Sequence, residues 1–390
     1  MIIFLLGVLA LLAIGCTQRD NPTLPERPLA GTIVQATHQY NGLTGLQDPD
    51  RSRHAARRVF AYLPSGYRLD IVGQRYPVLY LLPGYDGEAS FEYSYGNENY
   101  YMLANIAVIA DRLIADGEIK PMIIVLPDAS IPYGGAFYGD SELDGPWEDM
   151  MARELVDYVD ATYLTLVDQA DYEDKDFRAI AGHASGGYGA MRLAMDYPDQ
   201  YNSVSAIDAP LAFSELPQLF GDYLTESNIT SSASYFATDT TGMRSQPYKI
   251  LLLSMAATFS PSGVKDETTK FGKLQIGLPF DYEGNTIDTI WSKWMDNDLY
   301  SWLDLPDYQA ALSGQHIYFE SATSDIGLTG FNAQTEIFQQ RLTQLGIAYS
   351  SATYSGYEGY DARSRSFLYD RLEYILKFHD QYLRDRFGQF

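Results

Sequence analysis

The chain is 390 residues long, 46% hydrophobic, and carries a formal charge of −24 from 51 acidic and 27 basic side chains. That length and apolar content suffice for one large core, or for a core with a sizeable insertion. A surface this acidic repels phosphate backbones and anionic lipid, which argues against nucleic acid as a partner.

Ile2 to Ile14 is an apolar run ending in Ala13-Ile14-Gly15-Cys16. A membrane-spanning helix needs about 20 apolar residues, so this shorter run reads as the h-region of a secretory signal. Small residues before Cys16, the only cysteine of the chain, match the processing and lipidation site of a bacterial lipoprotein. No Lys or Arg precedes the run, and an ordinary signal peptide containing a cysteine is the alternative. Residues 1–16 are therefore expected to be a lipoprotein-type signal peptide with lipid on Cys16. The protein is then exported and bound to a membrane by its lipid, periplasmic or on the cell surface of a bacterium. Pro22, Pro25 and Pro28 suit an extended tether, so residues 17–50 read as tether and N-terminal segment and residues 51–390 as the folded domain.

Val59-Phe60-Ala61-Tyr62-Leu63 reads as a strand. Val78 to Leu82 and Ile123 to Leu126 are continuous apolar runs, as expected of strands covered on both faces. Helical periodicity fills Asn97 to Ala115 and Trp147 to Tyr163. A strand at Ala179 to Gly182 runs directly into a helix ending near Tyr197. Further strands are expected at Ser203 to Ile207, Ile317 to Glu320 and Ala348 to Tyr354. A last helix, near Ser364 to Leu383, carries Phe367, Leu368, Leu372, Ile375 and Leu376 on one side. Alternating strands and helices indicate an α/β fold, a mostly parallel central sheet with helices on both faces. The stretch from about 210 to 313, with Trp291, Trp294 and Trp302, shows little regular pattern and reads as an irregular, cap-like insertion above the sheet.

Gly182-His183-Ala184-Ser185-Gly186-Gly187 has the form of a nucleophile elbow, G-x-S-x-G between strand and helix, with alanine at the central position. More of one pattern surrounds it: Tyr80-Leu81-Leu82-Pro83-Gly84, Val125-Leu126-Pro127-Asp128, Phe137-Tyr138, Gly145-Pro146-Trp147-Glu148 and Met255 to Pro261. From Arg57 to Leu383 the chain resembles the esterase family of the α/β-hydrolase superfamily, which includes S-formylglutathione hydrolases, feruloyl esterases and mycolyltransferases. The resemblance implies an α/β-hydrolase fold and a triad in the chain order Ser, Asp, His.

On that pattern the nucleophile position is Ala184, the acid position is Asp325 and the base position is Glu358, with Tyr360 in its place if the alignment slips by two. His38, His54, His183, His316 and His379 are the five histidines; His379 falls late in the final helix, and none lies in the segment directly after the last strand where the family's base belongs. Loss of both nucleophile and base points to a homologue that binds without cleaving, because losing either alone already removes about a million-fold of turnover. The alternative is an active carboxylic-ester hydrolase using Ser185 as a displaced nucleophile, or an unrecognised base. Asp325 and Glu358 could also act as a carboxylate pair in acid–base work or cation binding, but no metal or other cofactor is expected.

Backbone N–H groups of Tyr85 and Ser185 would form the oxyanion hole. The chain has 32 tyrosines; those after strand ends, Tyr85 and Tyr138, are expected with Trp147, Asp325 and Glu358 around a ligand site. The ligand class is a small-molecule ester, a glycan or a peptide.

Overall fold

The computed structural model describes residues 30–40, 56–70, 72–84, 105–131, 134–167, 172–226, 247–261, 276–281, 283–323, 331–355 and 368–384. Strands β1 (Thr32–Gln39), β2 (Ala56–Leu63), β3 (Val78–Leu82) and β4 (Ile123–Pro127) come first. Two small hairpins follow, β5 (Ser130–Ile131) with β6 (Gly134–Gly135), and β7 (Asp140–Ser141) with β8 (Gly145–Pro146). The last strands are β9 (Arg178–His183), β10 (Ser203–Ile207), β11 (His316–Ala322) and β12 (Ser350–Tyr354).

The central sheet has the order β1-β2-β4-β3-β9-β10-β11-β12. The pairs β1/β2 and β2/β4 are antiparallel, and every pair from β4 to β12 is parallel. This is the expected mostly parallel sheet of the α/β-hydrolase fold.

Helices α1 (Ile106–Ala115), α2 (Leu155–Thr162), α3 (Ser185–Asp196), α4 (Leu216–Glu226) and α5 (Pro247–Phe259) are followed by α6 (Asp288–Met295) and α7 (Leu299–Trp302). Then come α8 (Pro306–Ser313), α9 (Phe331–Leu345) and α10 (Leu368–Tyr382). A helical turn at Trp147–Asp149 and a π-helical turn at Met150–Glu154 lead into α2.

Strands β3, β4, β9 and β10 are buried at every position because both sheet faces are covered. Val78, Tyr80, Ile180 and Val204 pack with Val159 of α2, Met191 of α3, Leu251 of α5 and Phe338 of α9. Leu79, Leu81, Ala179 and Ile207 point the other way, under Ile109 of α1 and Leu372 and Ile375 of α10. Each fully buried Leu or Ile contributes roughly 1.5–3 kcal/mol.

Two features differ from the sequence reading. First, the sheet already begins within the N-terminal segment, where Thr32 pairs with Leu63. Asp111 fixes this entry by accepting hydrogen bonds from the Gly31 N–H and the Tyr62 hydroxyl, both at 2.7 Å. Second, the insertion between β10 and β11 is largely helical in its described part, carrying α4 to α8. Helix α5 gave no one-sided pattern because Ile250 to Leu253 and Met255 to Ala257 are all buried, and a helix surrounded by core is apolar on every side. The insertion is held to α3 by the Tyr188 hydroxyl, which donates to the Asn297 carbonyl at 2.6 Å, and by Arg192, which donates to Asn297 Oδ1 at 2.8 Å and stacks over Trp302.

Candidate active site

Between the end of β9 and the start of α3 stands Ala184, at φ 52° and ψ −121°. The glycines around it have steric work to do. A Cβ on Gly182 would lie 2.2 Å from the Gly186 carbonyl, and one on Gly186 would lie 2.1 Å from the Leu82 oxygen. One on Gly84 would come within 2.8 Å of the His183 carbonyl oxygen and 3.3 Å of the Ala184 methyl.

The backbone of the tip is fixed from both sides: the Ala184 N–H donates to Ile207 O at 2.9 Å, and its carbonyl accepts from the Tyr188 N–H at 3.0 Å. A non-glycine residue in such a conformation costs about 1–3 kcal/mol and persists only where its surroundings over-determine it. The turn is therefore the nucleophile-bearing geometry with a methyl group at its tip.

Ser185 opens α3. Its backbone N–H is in the first turn, where no intrahelical acceptor exists and the helix dipole is positive. Its side chain is 0% exposed, and its Oγ has no hydrogen-bond partner. An activated nucleophile needs a base within hydrogen-bond reach. Tyr85, Asp325 and Glu358 lie outside the described residues. The strands preceding the last two end side by side, with Ala322 opposite Tyr354, so both loops leave the sheet from neighbouring positions.

Beneath that edge is a buried charge network. Asp208, at φ 43°, follows β10. Its Oδ1 accepts from the Ala322 N–H at 2.7 Å, and its Oδ2 accepts from Arg371 at 2.8 Å. Arg371 also donates to Glu320 of β11 and stacks over Tyr354 of β12 at 5.2 Å. His183 Nε2 lies 3.9 Å from Asp208 Oδ2. Arg371, Glu320, Asp208 and His183 are all buried. Burial pushes the Glu320 carboxyl upward, opposed by the neighbouring guanidinium. One cation thus ties together the ends of β10, β11 and β12.

The sequence profile of the family described as "Putative esterase" matches residues 52–365. The chain belongs to this esterase family. An esterase of Mycobacterium tuberculosis is 30% identical over 173 residues, covering 44% of this chain and 32% of that protein. An endo-1,4-beta-xylanase/feruloyl esterase of Xylanibacter ruminicola is 32% identical over 148 residues, covering 36% of this chain and 18% of that protein. The matched part is thus a minority of each relative. Among solved structures, a ferulic acid esterase superposes with a TM-score of 0.56 at 17% identity, over 90% of this chain and 99% of that one. An S-formylglutathione hydrolase from Agrobacterium tumefaciens gives 0.53 at 15% identity, over 91% and 96%. At these identities the superpositions show the shared fold.

Within this esterase-family chain, Tyr138 and Trp147 are both 0% exposed. Tyr138 has φ 54° and donates its hydroxyl to the Pro83 carbonyl at 2.6 Å, which props the turn after β3. Its ring fills the space left by Gly189, where a Cβ would approach Tyr138 Cδ2 to 2.2 Å. Trp147 lies under the Arg57 guanidinium at 4.7 Å. Both side chains, which the sequence reading places around a ligand, are thus packed into the interior of the described structure. The nearest approach to a Ser–His pair among the described residues is His379, with Nδ1 2.8 Å from Ser203 Oγ and Nε2 2.5 Å from Ser205 Oγ. It is sealed between α10 and β10, and burial lowers its pKa to about 3. Among the described residues no group of three His, Cys, Asp or Glu side chains is arranged to hold a metal ion.

The Asp208–Arg371–Glu320 network was missed by sequence reasoning, although one signal marked it. Arg371 lies three residues after Leu368 and four before Ile375, on the apolar stripe of α10. A cation in such a stripe needs a buried counter-charge.

Proposed function

We propose that this protein is an exported, lipid-anchored member of the esterase family that binds an ester, glycan or peptide ligand without cleaving it. The observation that carries the reading is the methyl group of Ala184 at the tip of an otherwise intact elbow. Alanine offers no lone pair to a carbonyl carbon, and the position that matches the family's base is Glu358. In serine hydrolases, loss of the nucleophile alone removes about a million-fold of turnover.

Binding has its own supports. The Ser185 N–H in the first turn of α3, which has no intrahelical acceptor, suits a carbonyl oxygen without any reacting side chain. The names of the relatives, esterase and feruloyl esterase, put an ester first among the ligand classes. The test uses methyl ferulate and measures binding by calorimetry and ferulate release by chromatography. Saturable binding without release is expected. Release that disappears in Ser185→Ala would overturn the proposal in favour of the second reading, an active hydrolase using Ser185, which those same names favour.

A further inference from the structure

We propose that His38, Tyr40, Arg57 and Trp147 form a buried binding site for a small monovalent anion of the size of chloride. The fold brings the four together at one end of the sheet. His38 lies in β1 and Tyr40 just past its end, and their rings meet edge to face with centroids 4.7 Å apart. Arg57 of β2 is directly opposite His38 in the ladder, and opposed residues share a sheet face. The Arg57 guanidinium stands 4.7 Å over the Trp147 ring. Tyr158 of α2 packs on His38 at 4.4 Å. Burial drives the Tyr40 hydroxyl upward in pKa and the Arg57 charge opposes it, so the two are within electrostatic reach.

Tyr40 and Trp147 are 0% exposed and Arg57 is 7% exposed. Within this closed neighbourhood Tyr40 Oη, Arg57 Nε, Trp147 Nε1 and His38 Nε2 are buried and have no hydrogen-bond partner among the described residues. Buried polar atoms are ordinarily paired, because leaving one unpaired forfeits its hydration. The chemistry of the four atoms selects what would pair them. Indole and guanidinium N–H groups can only donate, and a phenol can donate. Burial lowers the His38 pKa, which keeps the imidazole neutral at pH 7, and the neutral ring donates from Nε2 in one of its two tautomers. Such a set suits an occupant that only accepts, and it excludes a metal cation.

Charge sets the size of the anion. Arg57 Nη1 donates to the Ser130 carbonyl at 2.6 Å, so the Nε–H is left over. Asp128 stands 3.9 Å from the same Nη1, and its Oδ1 accepts from the Ser130 N–H at 3.0 Å and from the Ser130 hydroxyl. Asp128 offsets part of the guanidinium charge, and Glu154 adds a negative charge within reach of Tyr40. A doubly charged sulfate or phosphate is disfavoured by these carboxylates. A single small negative charge is held by the neutral donors together with Arg57.

Urea unfolding of the full chain carrying Cys16→Ser tests the proposal. Chloride is varied from 10 mM to 1 M, and gluconate, too large for a closed site, holds the ionic strength constant. An anion bound only by the folded state raises the folded-to-unfolded ratio, by about tenfold for each tenfold of chloride once the site is mostly filled. An increase of at least fivefold across the series is expected, and bromide should act like chloride. Trp147→Phe keeps a ring beneath Arg57 and removes the N–H, and Tyr40→Phe removes the hydroxyl. Each should cut the chloride response to less than half, whatever it does to stability in gluconate alone. Tyr201→Phe also removes a buried, unpaired hydroxyl, one that packs on Tyr80 instead, and should leave the response intact. A ratio that is constant across the chloride series would overturn the proposal and assign the four donors to water. So would a response that Trp147→Phe and Tyr40→Phe leave unchanged.

Discussion

Arg371 of α10 donates to Asp208 Oδ2 at 2.8 Å, joining a residue of the last helix to the loop that follows β10. Through the same guanidinium, Glu320 and the ring of Tyr354 are drawn to the point where β10, β11 and β12 end. The edge of the sheet below Ala184 is therefore organised by buried charge.

Arg371→Met should destabilise the fold by about 3–5 kcal/mol, because two carboxylates then remain buried without their cation. Combining it with Asp208→Asn and Glu320→Gln should recover a large part of that loss. Urea unfolding measures both. A single-variant cost under about 1 kcal/mol would show that the network is not closed as described.

Ala184→Gly should raise stability by about 1 kcal/mol, since glycine adopts a positive φ without the Cβ penalty. The elbow glycines should behave oppositely. Gly186→Ala drives a methyl into the Leu82 carbonyl and should cost at least about 3 kcal/mol. Thermal unfolding of the two variants should move in opposite directions.

His379 predicts an acid limb in stability. Burial holds its folded pKa at about 3, against 6.5 for the exposed imidazole. Below pH 6.5 the unfolded chain takes up a proton there that the folded chain refuses, so this group favours unfolding as pH falls from 6.5 to about 3. Above 6.5 both states are neutral and the effect vanishes. The slope contributed is up to about 1.4 kcal/mol per pH unit. His379→Gln should flatten the stability profile between pH 6 and 4; an unchanged slope would show that His379 takes up its proton in the folded state.

Much of this architecture is legible in the sequence because central strands announce themselves. Val78 to Leu82 and Ile123 to Leu126 are apolar without interruption, and both lie in strands buried on both faces. The elbow is legible for a different reason: Gly182 and Gly186 are forced by backbone atoms about 2 Å from where a Cβ would stand. Helix α5 was hidden by the opposite circumstance, since Ile250 to Leu253 and Met255 to Ala257 are buried all round the helix and leave no periodicity to read. β1 was hidden in the N-terminal segment because Thr32 to Gln39 is an edge strand with partial burial. Asp208, Glu320 and Arg371 are too far apart in sequence to form a motif and meet only through the fold.

The proposed anchor on Cys16 has its own test. The natural chain should partition into the detergent phase and incorporate labelled palmitate, and Cys16→Ser should abolish both. Two or more acyl chains bind a membrane stably where one does not. Recovery of the natural chain in the aqueous phase with a free thiol would refute the anchor.

The central claim is that no activated serine stands at the elbow, and labelling by a fluorophosphonate probe tests it most directly. The natural chain should remain unlabelled, and so should Ala184→Ser, since Glu358 stands at the position that matches the family's base, while an active serine esterase run alongside reacts fully. Stoichiometric labelling of the natural chain, mapped to Ser185 and lost in Ser185→Ala, would contradict the account.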